Sequence, residues 1–141
     1  MRDRMKMTIT SKPENERFAR TVCAAFMLPL DPTVEEMDEL KTAVSEAVTN
    51  SVIHAYDSNE GEIVIEGEID GEWVTYMIRD NGCGIADIKK AREPLYSGSG
   101  DSERSGMGFS IMEAFSDEVS VESTVGSGTT VVLRKKISAN V

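Results

Sequence analysis

Cysteine, proline, tryptophan, histidine and positive charge are all scarce in this sequence. It has two cysteines in 141 residues, and Cys23 and Cys83 lie in unlike settings without metal-ligand spacing. Neither a disulfide framework nor a zinc site is expected, and the pair fits a reducing, cytoplasmic compartment. Long apolar runs are also missing. The longest, 22–30, is about half of what a membrane span needs, and it contains Pro29. The charged start Met1-Arg2-Asp3-Arg4 has no apolar signal core behind it. No membrane association is expected. Fifteen Lys and Arg stand against twenty-five Asp and Glu, a net charge of −10 and a sequence pI near 4.6. A surface of that sign repels phosphate backbones and anionic lipid, so direct nucleic-acid binding is set aside.

What is there is an ordinary domain composition, 40% apolar and 28% charged. A chain of this length buries roughly 70% of its unfolded surface without disulfides, so 1–141 reads as one domain. No segment repeats. Met5, Met7 and Ile9 alternate with polar neighbours over 4–10, which predicts a half-buried strand. Ser11 and Glu14 have capping-box spacing and Pro13 suits a first turn; Phe18, Val22 and Phe26 then recur every fourth residue until Pro29. Asp31 as cap, Pro32, Glu35 and Glu36 start a second helix that runs to about Tyr56. Its expected buried stripe is Leu40, Val44, Ala47, Val48, Ser51 and Ala55. Alternation over 62–69 and 72–79 around Asp70-Gly71 predicts a hairpin with a type I′ turn. A short helix at 85–92, a polar loop at 96–105 and a helix from near Gly106 through Phe115 follow. Strands at 117–123 and 129–135 flank Gly126-Ser127-Gly128. The expected fold class is α+β, a two-layer sandwich of helices on one face of a mixed, mostly antiparallel sheet.

Four short constellations carry chemistry. Glu46, Asn50 and His54 follow at four-residue intervals along the long helix, a slanting row beside its apolar stripe. Such a row is either a solvated helix edge or the wall of a cleft. Asp80-Asn81-Gly82-Cys83-Gly84 follows a strand directly, and Asn-Gly suits a turn. Alternate glycines also let a flat ligand approach the backbone, while the carboxylate can accept from an exocyclic amine such as that of adenine. Arg104-Ser105-Gly106-Met107-Gly108 joins the polar loop to a helix start. Free N–H groups there cradle phosphate, and an arginine adds a fixed charge. A glycine-rich hinge has the same pattern. In Gly128-Thr129, a hydroxyl on a central strand could reach the same ligand edge as Asp80.

The order of these boxes resembles the ATP-binding module shared by gyrase, the Hsp90 chaperones, histidine kinases and MutL. Glu14-Asn15-Glu16-Arg17-Phe18-Ala19-Arg20, Leu30-Asp31-Pro32-Thr33 and Val44-Ser45-Glu46-Ala47-Val48-Thr49-Asn50 with His54 carry the likeness further. With Arg104-Ser105-Gly106-Met107-Gly108-Phe109, they resemble the sporulation anti-sigma-F factors, small serine kinases of that superfamily. The likeness covers nearly the whole chain. It implies that Glu46 is the catalytic base, Asn50 binds Mg²⁺ and the nucleotide, and Asp80 reads adenine. Gly82 and Gly84 would lie beneath the base, with Thr129 as hydroxyl partner. Arg104 would meet the γ-phosphate, Ser105, Gly106, Met107 and Gly108 would close over the phosphates, and a mobile ATP lid would span about 92–105. The implied ligands are ATP or ADP with Mg²⁺. Members of the family act as homodimers that inhibit a sporulation sigma factor and phosphorylate a serine of an anti-anti-sigma factor. Arg20 matches a residue that contacts these partners, and the acidic surface suits the basic faces of a DNA-binding subunit.

A competing reading is a sigma-binding module shaped by ATP without phosphoryl transfer. Binding alone needs Asn50 and Mg²⁺ but no base, so Glu46 argues for the kinase. A histidine kinase would need a helical hairpin with an acceptor histidine, and a gyrase-like clamp a transducer domain; neither is expected here. Cys83 reads as a small space-filler near the nucleotide, Cys23 as core, and the eight methionines as core filler. Trp73 stands open between core and contact, and His54 between a structural hydrogen bond and a role in the site.

Overall fold

The computed structural model describes residues 1–55, 61–84 and 108–138. Period-two burial turns five segments into strands: β1 (Arg2–Thr10), β2 (Glu62–Asp70), β3 (Trp73–Asp80), β4 (Glu118–Thr124) and β5 (Gly128–Lys136). Their order is β1-β2-β3-β5-β4, and all four pairings are antiparallel. The mixed, mostly antiparallel sheet expected from the pattern is thus antiparallel throughout its described strands. Register aligns Ile65, Ile78 and Val131 across one face. There they join Ile63, Tyr76 and Leu133 in the buried core with residues of α1 (Glu14–Phe26), α2 (Val34–Asn50) and α3 (Gly108–Phe115). The two-layer α+β architecture follows, each fully buried large side chain contributing about 1.5–3 kcal/mol.

Helix α1 buries Ala19, Cys23 and Ala24, a face rotated one position from the Phe18–Val22–Phe26 series. Phe18 is 54% exposed, while Phe26 packs at the core margin with its ring edge-on to Tyr76 at 6.2 Å. Small side chains let α1 lie close to α2, which displaces the large ones to the rim. Cys23 is core as expected, and desolvation pushes its thiol up to about 12.

Ser11 forms no capping box. Pro13 is the N-cap, the Ser11 hydroxyl is buried without a hydrogen-bond partner, and the Ser11 N–H donates to the Gly61 carbonyl at 2.7 Å. The cap of α2 is Thr33 rather than Asp31. The Thr33 hydroxyl accepts from the Glu36 N–H at 3.0 Å, and the Glu36 carboxylate accepts from the Thr33 N–H at 2.9 Å. Such a box stabilises a helix start by about 1 kcal/mol. Burial alone would raise the Glu36 pKa, but N–H groups of Thr33 and Ser138 outweigh it and hold the carboxyl below its ordinary value. Asp31 instead takes a left-handed φ of 52° to end a 3₁₀ turn, Leu28–Leu30.

After Asn50 the helix widens into a π-helical turn, Ser51–Ala55, so the single helix expected to about Tyr56 changes pitch. Val52 joins the core beside the expected Ser51, and Tyr56 lies outside the described residues. The β2–β3 loop is Gly71-Glu72, one residue later than expected. Gly71 has a φ of 64° and Glu72 a negative one, the type II′ pattern and not I′. Trp73 proves to be a surface contact: the Arg134 guanidinium lies 4.5 Å from its ring centroid. The helix expected at 85–92 and the loop at 96–105 lie outside the described residues, and α3 is described from Gly108 onward.

Candidate functional site

Asp80 ends β3 and is 4% exposed. Its Oδ1 accepts from the N–H groups of Gly82 at 3.0 Å and Thr129 at 3.1 Å, and its Oδ2 accepts from the Ser51 hydroxyl at 2.8 Å. A carboxylate has about four acceptor positions, so these three bonds leave one, on Oδ2, for a further donor. Thr129 stands opposite Asp80 in the β3–β5 register, and its hydroxyl hydrogen-bonds the Ser123 hydroxyl at 2.8 Å. The main chain of Thr129, not its side chain, is what touches Asp80.

Two glycines are fixed here by close approach of the chain to itself. Gly128 has a φ of 110°, and a Cβ there would overlap the Asp80 carbonyl. Gly84 has a φ of 78°, and its Cβ would strike the Thr124 carbonyl. Glycine alone satisfies both constraints. The Gly126 N–H donates to the Cys83 carbonyl at 2.7 Å, which stitches the Asp-x-Gly-x-Gly loop to the β4–β5 turn. Gly84 therefore has a packing duty within the chain, where its spacing alone suggested room for a ligand.

A second cluster gathers on α2. Asn50 is its last residue, Glu46 lies one turn earlier, and both reach the start of α3. A Cβ added to buried Gly108 would lie 3.3 Å from Asn50 Nδ2, Asn50 Oδ1 and Glu46 Oε2. The described start of α3 thus lies beside an amide and a carboxylate. Because Asn50 and Ser51 are consecutive, the two clusters adjoin. The helical period places Ser51 only in the apolar stripe; a serine in an otherwise apolar series is the sequence signal of its bond to Asp80.

Arg20 stands on α1 and pairs with Glu16 at 3.3 Å, while Glu16 also accepts from the Ser45 hydroxyl of α2. Arg104, Ser105, Gly106 and Met107, the whole expected lid at 92–105 and the His54 side chain lie outside the described residues. Among the described residues, no group of three or more His, Cys, Asp or Glu could hold a metal ion, and no helix is long and apolar enough to cross a membrane.

Such a sheet, with an acid at the end of β3 and a helix carrying Glu46 and Asn50 above it, defines a histidine kinase-like ATPase domain. The family model of that description matches residues 9–135. Among relatives, the chain is 51% identical over 138 residues to the anti-sigma F factor of Clostridium novyi, covering 97% of this chain and 96% of that one. It is 52% identical to that of Pasteuria penetrans, covering 99% and 94%, and 49% identical to that of Geobacillus thermodenitrificans, covering 98% and 95%. The chain belongs to the anti-sigma F factor family, within the histidine kinase-like ATPase class. Its fold is similar to the RsbU and RsbW domains of Rv1364c from Mycobacterium tuberculosis, with a TM-score of 0.69 and 20% identity over 96% of this chain and 32% of that one. Full-length ShkA in complex with AMPPNP gives a TM-score of 0.56 at 20% identity, over 88% and 30%.

Proposed function

We propose that this protein binds and inhibits a sporulation sigma factor and, as an ATP-dependent protein serine kinase, phosphorylates a serine of an anti-anti-sigma factor. The observation that carries the kinase reading is the meeting of Glu46 Oε2, the Asn50 amide and Gly108 at the start of α3. The sigma-binding half rests on the family and on a net charge of −10, which complements basic faces. In this reading the exocyclic amine of adenine donates to the remaining position on Asp80 Oδ2. Gly82 and Gly84 shape the loop beneath the base, Thr129 lies beside it, and Ser51 steadies the carboxylate. The phosphates extend along α2 towards Asn50. Ser105, Gly106, Met107 and Gly108 enclose them, Arg104 meets the γ-phosphate, and 92–105 form the lid.

One amide oxygen beside one carboxylate suits Mg²⁺, which takes few protein ligands and completes its shell with water and phosphate. Asn50 would hold it, and when bound with ATP it neutralises charge on the phosphates. Glu46 takes the proton of the acceptor serine as that hydroxyl oxygen bonds to the γ-phosphorus. The bond from γ-phosphorus to its bridging oxygen breaks, and the electron pair leaves with ADP. Arg20 faces the protein partners, and the working unit is a cytoplasmic homodimer.

The test is transfer of radiolabelled γ-phosphate from ATP to the companion acceptor, wild type beside Glu46→Gln. Acid-stable label that vanishes in Glu46→Gln, with ATP binding retained, is the expected result. Acid-labile label points to histidine chemistry and overturns the reading. Absence of label despite ATP binding leaves a sigma-binding module without phosphoryl transfer.

A further inference from the structure

The alternation Val131, Leu133, Lys135 carries a lysine onto the buried face of β5, where it is 8% exposed. A cation so placed is costly unless it is bonded. Lys135 Nζ donates to Glu39 Oε2 of α2 at 3.1 Å and to the carbonyl of Phe115, the last residue of α3, at 3.2 Å. The charge also meets the negative end of the α3 dipole. Glu39 lies about two turns before Glu46 on α2. Helix α3 therefore runs back along α2, one end tied through Lys135 to Glu39 and the other resting on Glu46 and Asn50. Eight helical residues make a rod about 12 Å long, so loosening at Phe115 is felt as tilt at Gly108.

We propose that Lys135 is a positioning residue for the phosphate end of the site. It sets the tilt of α3 against α2, and with it the distance from the first α3 N–H groups to Glu46 and Asn50. It touches neither nucleotide nor acceptor. The inference rests on the nucleotide reading above, and its test separates the two.

The experiment measures equilibrium affinities of the full chain for ATP with Mg²⁺ and for AMP, alongside thermal denaturation. The variants are Lys135→Met, Lys135→Arg and the pair Lys135→Met with Glu39→Gln. Glu39 has 26% of its side chain exposed and can rehydrate when its partner is lost. Both methionine variants should lose about tenfold in ATP affinity with AMP affinity held within about twofold, because only the longer ligand reaches α3. Lys135→Arg, which can still donate to both acceptors, should keep the wild-type ratio. If a methionine variant does not fold, Glu39→Gln gives the same readout, with a selective loss of about threefold expected. An unchanged ATP-to-AMP ratio in the folded variants, or equal loss for both ligands, overturns the inference alone. A wild type that binds no ATP overturns the nucleotide reading and takes the inference with it.

Discussion

Replacing Gly108 by alanine separates the shape of the site from the stability of the fold. Gly108 is buried at the start of α3, and its φ is outside the left-handed region, so alanine adopts the same backbone. Helix propensity favours alanine by up to about 1 kcal/mol, less at a first position. Against this, the new methyl would lie 3.3 Å from Asn50 Nδ2, Asn50 Oδ1 and Glu46 Oε2, inside the usual carbon contact of about 3.5–4.0 Å. All three atoms end flexible side chains and need to yield by only a few tenths of an ångström. Net stability should change by no more than about 1 kcal/mol, a shift in Tm of about 4 °C for a chain of this size. The displaced atoms, however, are those assigned to the proton and the metal ion. A misplacement of about 1 Å costs a hundredfold in rate, so a few tenths should cost about three- to tenfold. Thermal denaturation and single-turnover transfer on Gly108→Ala check both halves. Transfer at the wild-type rate would refute the placement of the chemistry at Gly108, and a Tm fall of more than about 10 °C would refute the packing argument.

Three further outcomes follow from the geometry. Asp80→Asn keeps an oxygen for the N–H groups of Gly82 and Thr129, and the Ser51 hydroxyl can turn to accept, so the fold should hold. The adenine amine would then meet a donor, and titration calorimetry should record a roughly ten- to hundredfold loss of ATP affinity; unchanged affinity would place adenine elsewhere. Cys83 is exposed while Cys23 is buried with its thiol pushed up to about 12, so a maleimide should label Cys83 alone at neutral pH. ATP with Mg²⁺ should slow that labelling, read by mass spectrometry, and indifference to nucleotide would remove Cys83 from the neighbourhood of the site. The Cys23 thiol also carries a pH dependence, because its pKa rises from 9.0 to about 12 on folding. The folded chain keeps a proton that the unfolded chain releases, so this stability is complete below about pH 9 and lost as pH climbs towards 12. Desolvation and the neighbouring Cys23 raise the Tyr76 hydroxyl in the same sense. The Tm of Cys23→Ala should fall less steeply than wild type above pH 9, and parallel curves would contradict the assignment.

Features with a local cause were legible in the sequence. Alternation found the first three strands, the Gly126-Ser127-Gly128 turn placed the last two, and the acids after Pro32 found the start of α2. The order of the boxes selected Glu46, Asn50, Asp80, Gly108 and Thr129 before any of them had a neighbour. What escaped depends on segments far apart in the chain. The size of Phe18 suggested burial, but the closeness of α2 favours Ala19 and Cys23. Ser11 has the spacing of a cap, yet the Gly61 carbonyl claims its N–H. The role of Ser51 requires a carboxylate 29 residues later, and that of Lys135 a glutamate 96 residues earlier. Period-two reading of β5 does place Lys135 inward, and a lysine on a buried face was the unused signal.

The seat of Asp80 has a consequence for synthesis. Its supports arrive in three instalments: Ser51 first, Asp80 next, and Thr129 49 residues after that. At the usual pace of translation the last of them trails Asp80 by about 2–10 s. Strand β5 is also an interior strand, inserted between β3 and β4, so the sheet stays split until the final piece slides in. On the proposed reading of the site, nucleotide should find no finished pocket during that interval and should not template the nascent chain. A ribosome-stalled fragment that stops after β4 should be blind to ATP, and sensitivity should switch on in one step once β5 emerges.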